Sequence, residues 1–210
     1  MNASKTLLAA LVVMPVLASC GRSPSPAPAQ GQTAAAAEAP AAAALPAAAP
    51  EQVVADLYAA LASLRPSGAP TDAQRATLSP LLSAELIALL QRADAARTAA
   101  RIAAPTEKPP FTDGDLFSSL FEGPTGYAVG KAAPGADAPG GRLGDLRVPV
   151  TLTHATDPAA GKAVTWTDTV LLREENGRFV VADIAFGGDW DFANKGSMLA
   201  ALRVGLGEKG

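Results

Sequence analysis

Residues 163–186 read AVTWTDTVLLREENGRFVVADIAF, and this stretch decides the fold. Two runs rich in β-branched and apolar residues flank Asn176-Gly177, a dipeptide that suits the positive φ angles of a two-residue hairpin turn. The stretch therefore predicts two long antiparallel strands, over 163–173 and 178–186.

The hairpin also predicts which side chains share a face. With Asn176-Gly177 as the turn, Glu175 faces Arg178 and Val170 faces Asp183. Asp168 and Asp183 are then diagonal neighbours on one face, with Cα atoms about 7–8 Å apart. The same face carries Trp166 and Phe179. We take the two carboxylates as candidate catalytic residues and the two aromatic side chains as candidate pocket residues.

Further strands are predicted upstream of the hairpin. Residues 146–153 alternate apolar and polar side chains, as a strand with one buried face does. Pro149 within this run indicates an edge position or a bulge, because proline has no N–H to donate. Residues 126–130 form a second, shorter candidate strand.

Residues 51–103, upstream of these strands, have the apolar spacing of helices. Residues 51–64 repeat apolar side chains every three or four positions, and Pro66 ends the run. Thr71 and Gln74 form a capping-box pattern for a short second helix. Residues 81–103 predict the longest helix, whose charges at Asp94, Arg97 and Arg101 we interpret as a solvated face. Helices followed by an antiparallel sheet indicate the α+β class.

This order of elements, ending in RFVVADI (178–184), resembles the nuclear-transport-factor-like, cystatin-like cone fold. The strings PPFTDGDLFSSLFEG (109–123) and VVADIAFGGDWDF (180–192) are similar to an uncharacterised bacterial domain family, mostly secreted or lipid-anchored. The resemblance implies N-terminal helices packed on a curved antiparallel sheet that wraps a pocket. Such pockets serve catalysis in some members and binding in others. No clear Asp/His or Asp/Tyr catalytic constellation stands out in this sequence.

The N-terminal leader has a charged start at Lys5, a short apolar core over 6–18 and the exit Leu17-Ala18-Ser19-Cys20. The core is shorter than the roughly 20 residues of a membrane-spanning helix. The exit resembles the bacterial lipobox, which implies cleavage before Cys20 and lipidation of that residue. The alternative is an ordinary signal peptide with an incidental cysteine.

The leader and composition divide the chain into a signal peptide (1–19), a lipidated cysteine with an Ala/Pro-rich disordered tether (20–50), and one α+β domain (51–210). The tether lacks the large side chains needed to offset the entropy of ordering. Gly21 stands where aspartate favours inner-membrane retention in similar Gram-negative lipoproteins, which favours an outer-membrane anchor facing the periplasm.

Composition excludes several classes of function. A net charge of −3 argues against nucleic acid, which binds basic surfaces. One cysteine and one histidine exclude zinc sites built from Cys and His ligands, and we expect neither a metal nor a cofactor. His154, the single histidine, is expected to lie exposed at a strand end.

Two further motifs carry candidate pocket residues. Asp113 and Asp115 flank Gly114, but the sequence lacks the regular oxygen ligands of a calcium loop. Asp115 as a helix cap is the simpler interpretation. Trp190, beside Gly187-Gly188, either lines the mouth of a pocket or packs in the core.

The sequence thus predicts an envelope lipoprotein with a non-catalytic binding or interaction domain. Its expected partners are the membrane, through lipid on Cys20, and a small molecule or another envelope protein. One alternative is a small hydrolase or isomerase that uses a pocket aspartate. Another is a structural or protective partner of an envelope protein. A deep pocket that contains a desolvated carboxylate would favour the enzyme. A shallow pocket with an exposed apolar patch would favour a protein partner.

We predict that Cys20→Ala abolishes lipid attachment, because no other residue of the chain offers a thiol. Metabolic labelling with a palmitate analogue measures it, with the wild-type chain as control. Label that persists on the variant would contradict the assignment.

Overall fold

The computed structural model describes residues 48–135 and 145–208. The predicted signal peptide, Cys20 and nearly all of the predicted tether lie outside these residues. The described part contains four helices and a five-stranded antiparallel sheet, which confirms the α+β class. None of its helices is both long and apolar enough to cross a bilayer.

The first two helices lie close to where the sequence predicts them. Helix α1 spans Pro50–Leu64 and ends at Arg65, whose φ of 43° is left-handed. Helix α2 spans Asp72–Leu78, and its capping box is present, with Thr71 and Gln74 side chains each bonded to the other's backbone N–H. Local signals therefore suffice to define both helices.

Helix α3 spans Ala84–Ala103 and begins three residues later than predicted. Ser83 caps it by accepting a hydrogen bond from the Leu86 N–H. The preceding residues pair with a strand instead, because the N–H of Val181 donates to Leu81 and the N–H of Ser83 donates to Val181. A tertiary contact thus replaces the first helical turn.

The prediction of a solvated face at the end of α3 is wrong for two of its three charges. Asp94 forms ion pairs with both Arg97 and the buried Arg75 of α2. Arg97 also donates to the Ala69 carbonyl at 2.7 Å. This network fastens α2 and the chain before it to α3, while Arg101 stays exposed.

The sheet has the order β1-β3-β4-β5, and β2 pairs with the same edge of β3 as β1. The strands span Gly126–Val129 (β1), Ala133–Pro134 (β2), Leu146–Asp157 (β3), Lys162–Glu175 (β4) and Arg178–Ala185 (β5). The last helix, α4, spans Met198–Gly205 and contacts α3 and β5. Helix α1 contacts three strands, so the N-terminal helices do pack on the sheet.

Pro149 lies in the inner strand β3, so the expected edge position is wrong. It faces the gap between β1, which ends opposite Val150, and β2, which begins opposite Arg147. A proline is tolerated there because the ladder on that side is interrupted at this point.

The hairpin turn is confirmed: Asn176 and Gly177 have φ angles of 54° and 75°, as a type I′ turn requires. The predicted register holds from Glu175–Arg178 to Leu172–Val181 and then shifts by one residue. Beyond this bulge Asp183 pairs with Leu171, not with Val170. Because a one-residue slip moves every later side chain to the other face, Asp168 and Asp183 do not share a face, and that prediction is wrong.

The core lies between the helices and one face of the sheet. From β4 this face presents Trp166, Asp168, Val170 and Leu172, while Thr165 and Thr167 on the other face are exposed. The core-facing side chains of β3 and of α1 are also buried, as their spacing predicts: Val148, Val150 and Leu152 from β3, and Val53, Val54, Leu57 and Tyr58 from α1.

Candidate functional site

The described part of the chain contains a cleft of about 890 Å³. It lies between the C-terminal half of α1, the loop 111–123 and the start of β1. Aromatic and charged side chains both line it. The aromatic ones are Tyr58, Phe117, Phe121 and Tyr127, and the charged ones are Arg65, Asp113, Asp115 and Glu122.

The loop 111–123 is held in place from both sides. Backbone N–H groups of Gly68 and Ala69 donate to the carbonyls of Gly114 and Phe111, at 2.7 and 2.9 Å. The N–H of Asp115 closes the loop on the Phe121 carbonyl at 2.7 Å. No helix forms here, so the expectation that Asp115 caps a helix is wrong. The aspartate shapes an irregular loop instead.

Asp115 lies in the wall of the cleft and is partly buried. Its Oδ1 accepts from the Phe117 N–H, and its Oδ2 accepts from the Ser118 hydroxyl, both at 2.8 Å. Desolvation nevertheless outweighs these bonds and raises the pKa of Asp115 to about 6. Gly123 packs against this carboxylate with a φ of 74°, where a Cβ would lie 2.9 Å from the Oδ2 atom.

Tyr58 connects the core to the cleft. Its ring stacks on Tyr127 of β1, with centroids 5.4 Å apart and planes at 30°. Only 2% of the residue is exposed, and its hydroxyl has no hydrogen-bond partner in the described structure. Burial, together with the charges of Asp168 and Asp115, raises the pKa of the Tyr58 phenol well above its usual value. An unpaired buried hydroxyl costs about 1–3 kcal/mol, so it is a group that a ligand can satisfy.

Asp168, predicted as a catalytic candidate, lies fully buried outside the cleft lining. Its carboxylate accepts four hydrogen bonds. The N–H and hydroxyl of Ser119 donate two of them, the first at 2.9 Å. The Trp166 indole N–H donates at 3.2 Å and the Gly187 N–H at 2.8 Å. A carboxylate with all four positions occupied has none left for a substrate.

Asp183, the second catalytic candidate, also has a structural position. Its Oδ1 accepts from the N–H of Ile184 at 2.8 Å and from that of Leu199 at 2.9 Å, in the first turn of α4. Desolvation raises the pKa of Asp183. The residue thus joins β5 to α4 and does not line the cleft.

The predicted pocket residues divide into two groups. Asp113 and Asp115 line the cleft, whereas Trp166, Phe179 and Trp190 do not. The two tryptophans pack edge to face, with centroids 5.6 Å apart. The Trp190 indole N–H is buried without a partner in the described structure.

His154 is half-buried and does not project freely from a strand end, contrary to expectation. Its Nδ1 lies 2.7 Å from the Gly123 carbonyl oxygen, so this nitrogen carries the proton that it donates. The histidine thereby fastens the end of the loop 111–123 to β3. Residues 48–135 and 145–208 contain no group of His, Cys, Asp and Glu able to hold a metal ion.

Sequence reasoning missed six of the eight aromatic and charged residues of the cleft: Tyr58, Arg65, Phe117, Phe121, Glu122 and Tyr127. Tyr58 belongs to the apolar stripe of α1, so its spacing indicates core packing alone. Phe117 and Phe121 have a usable signal, because they lie in an aromatic-rich segment without periodicity, PPFTDGDLFSSLFEG. Compared with family models, curated proteins and solved structures, the chain has no significant match.

We predict that Asp168→Asn destabilises the protein by about 2–4 kcal/mol, because the new amide NH₂ faces donors that each cost about 1–3 kcal/mol when left unpaired. Asp183→Asn is the matched control and should cost less than about 1 kcal/mol, since one amide oxygen can accept both backbone bonds. Urea unfolding at pH 7 gives both values. Equal losses would contradict the structural role of Asp168.

We further predict that the wild type gains about 1 kcal/mol of stability relative to Asp115→Asn when the pH falls from about 7.5 to about 5. The pKa of Asp115 is raised to about 6 in the folded state, so the folded protein binds this proton more tightly than the unfolded chain. Stability therefore rises as the pH falls through 6. Urea unfolding of both chains across this range measures the difference. A constant difference would contradict the buried position of the carboxyl group.

Proposed function

We propose that this chain is an envelope lipoprotein whose α+β domain binds a small molecule in the cleft without converting it. The observation that carries the proposal is the cleft. Its volume of about 890 Å³ falls within the roughly 300–1,000 Å³ of small-molecule sites. Aromatic walls with a few polar groups match the usual composition of such sites.

Binding is favoured over catalysis by the hydrogen bonds of the carboxylates. Asp168 and Asp183 are occupied by backbone and side-chain donors away from the cleft. The hydrogen bonds to the Asp115 carboxylate come from Phe117 and Ser118 of its own loop. General acid–base chemistry needs a positioned group within hydrogen-bond reach of the substrate, and neither sheet aspartate lines the cleft.

The anchor and location belong to the same proposal. The lipobox at Leu17-Ala18-Ser19-Cys20 and the following Gly21 support attachment to the outer membrane, with the domain in the periplasm. Several acyl chains hold a protein firmly, because each buried CH₂ contributes about 0.8 kcal/mol. Helix α1 begins at Pro50, the last residue of the predicted tether.

A second candidate function is a small hydrolase or isomerase with Asp115 as its acid–base group. The observation that favours it is the raised pKa of Asp115, about 6, in an aromatic cleft. A carboxyl group of this kind exchanges protons efficiently near neutral pH.

Native mass spectrometry of the full chain, released from its own membranes in detergent, tests the proposal. We expect a non-covalent small molecule on the wild type and its loss in Ala62→Phe. Ala62 lines the cleft, is exposed and lies one turn after Tyr58 on the same face of α1, so the new ring occupies the cleft. Ala59→Phe is the matched control, because Ala59 is exposed on the same helix outside the cleft lining, and it should retain the molecule.

Absence of a bound molecule on the wild type, or its persistence in Ala62→Phe, would contradict the proposal, provided circular dichroism shows the variant to be folded. Incubating the recovered compound with the chain separates the two candidate functions. Conversion by the wild type but not by Asp115→Asn would establish the enzyme.

A further inference from the structure

The Asp115 carboxylate, in the wall of the cleft, has hydrogen-bond positions that the protein itself does not use. Each oxygen of Asp115 accepts one hydrogen bond from its own loop, at 2.8 Å in both cases. A carboxylate oxygen has two acceptor positions, so one on each oxygen is available to a ligand. The group that fits there is a donor.

Tyr58 supplies an aromatic wall of the same cleft. Tyr58 and Asp115 both line it, and the Tyr58 ring stacks on Tyr127 with centroids 5.4 Å apart. An ammonium group carries three donors, so two of them can fill the free positions on the Asp115 oxygens. The rings beside this carboxylate can cover the rest of the ligand.

The charges and rings of the cleft favour a cation over an anion. Three acidic side chains and one basic side chain line it. The basic residue, Arg65, is exposed at the end of α1, where solvent screens its charge. Of the acidic ones, Asp113 already pairs with Lys108 at 2.8 Å, which leaves Asp115 as the inner negative charge. Aromatic faces attract cations and also cover an apolar ligand body.

We propose that the ligand of this cleft is an amine with an aromatic or aliphatic body, held by its ammonium group at the Asp115 carboxylate. This inference rests on the proposed binding function and names the chemical class of its ligand. The apolar body lies against Phe117, Phe121 and Tyr127, and its outer end reaches the mouth of the cleft, where Phe121 is 50% exposed.

Three probes with the same phenyl body test the proposal: 2-phenylethylamine, 2-phenylethanol and 3-phenylpropanoate. Binding to the full chain is measured by equilibrium dialysis, with the same nonionic detergent in both chambers. We expect the amine to bind about tenfold or more tightly than the alcohol, because its hydrogen bond to the carboxylate is charge-assisted. The carboxylate probe should bind most weakly.

Two variants assign the effect to one carboxylate. Asp115→Asn should lower amine affinity about tenfold, with alcohol affinity changed less than about twofold. Asp191→Asn is the matched control, since this aspartate is exposed and lies outside the cleft lining. It should leave both affinities within about threefold.

A pH series on the wild type keeps the proposal testable if Asp115→Asn does not fold. Amine affinity should fall about tenfold between about pH 7.5 and about pH 5 as Asp115 gains a proton, while the probe keeps its charge because aliphatic amines titrate near about pH 10. Tyr58 and Arg65 from α1, and Asp113 and Glu122 from its own loop, line the cleft with Asp115. The charge of Asp168 from β4 also acts on Asp115. His154 from β3 is hydrogen-bonded to Gly123, which packs against the Asp115 carboxylate.

The alcohol probe is the control at each pH, because a pH-dependent change of cleft shape would weaken both probes alike. The amine proposal is overturned if the alcohol or the carboxylate binds as tightly as the amine, or if amine affinity is independent of pH. Loss of that binding in Ala62→Phe would still uphold the proposed function. Absence of binding by all three probes would contradict the ligand class, and native mass spectrometry then decides separately whether the cleft binds another molecule.

Discussion

The buried carboxylate of Asp168 is the constraint on which the rest of the structure depends. A charge in the core is tolerated only when its hydrogen-bonding positions are filled, and here three segments fill them. Ser119 contributes its N–H and hydroxyl, Trp166 its indole and Gly187 its backbone N–H. The Ser119 hydroxyl in turn accepts from the Gly188 N–H at 2.9 Å. The loop 111–123 is thereby fixed against the sheet, and with it one wall of the cleft.

Because of the bulge in β5, Asp168 and Asp183 have different structural roles. Without the shift after Val181, Asp168 and Asp183 would both point at the helical layer and repel each other. With it, Asp168 serves the loop 111–123 on the core face, and Asp183 receives the N-terminus of α4. One extra residue thus lets neighbouring strands support two separate connections.

The sequence predicted elements that local signals define and missed those that tertiary contacts define. The capping box at Thr71, the Asn176-Gly177 turn and the apolar stripe of α1 all act within a few residues, and all three are confirmed. No local sequence pattern indicates the bulge, because the hydrogen bond that it allows, from the Leu199 N–H to Asp183, joins residues far apart along the chain. Most of the cleft was missed for the same reason: its walls come from segments that periodicity cannot bring together, and only Asp113 and Asp115 were predicted as pocket residues. Lipidation of Cys20 stays a prediction.

The groups that hold the loop 111–123 are far apart along the chain, which has a consequence for biosynthesis. Ser119 and Asp168 are 49 residues apart, and Gly187 lies a further 19 beyond. Contacts this distant form slowly, because loop-closure entropy is lost before they are made. A chain emerging from its N-terminus can form α1 and the later hairpin locally, but it cannot fix this wall of the cleft until residue 187 is free. The finished cleft is therefore a property of the nearly complete chain.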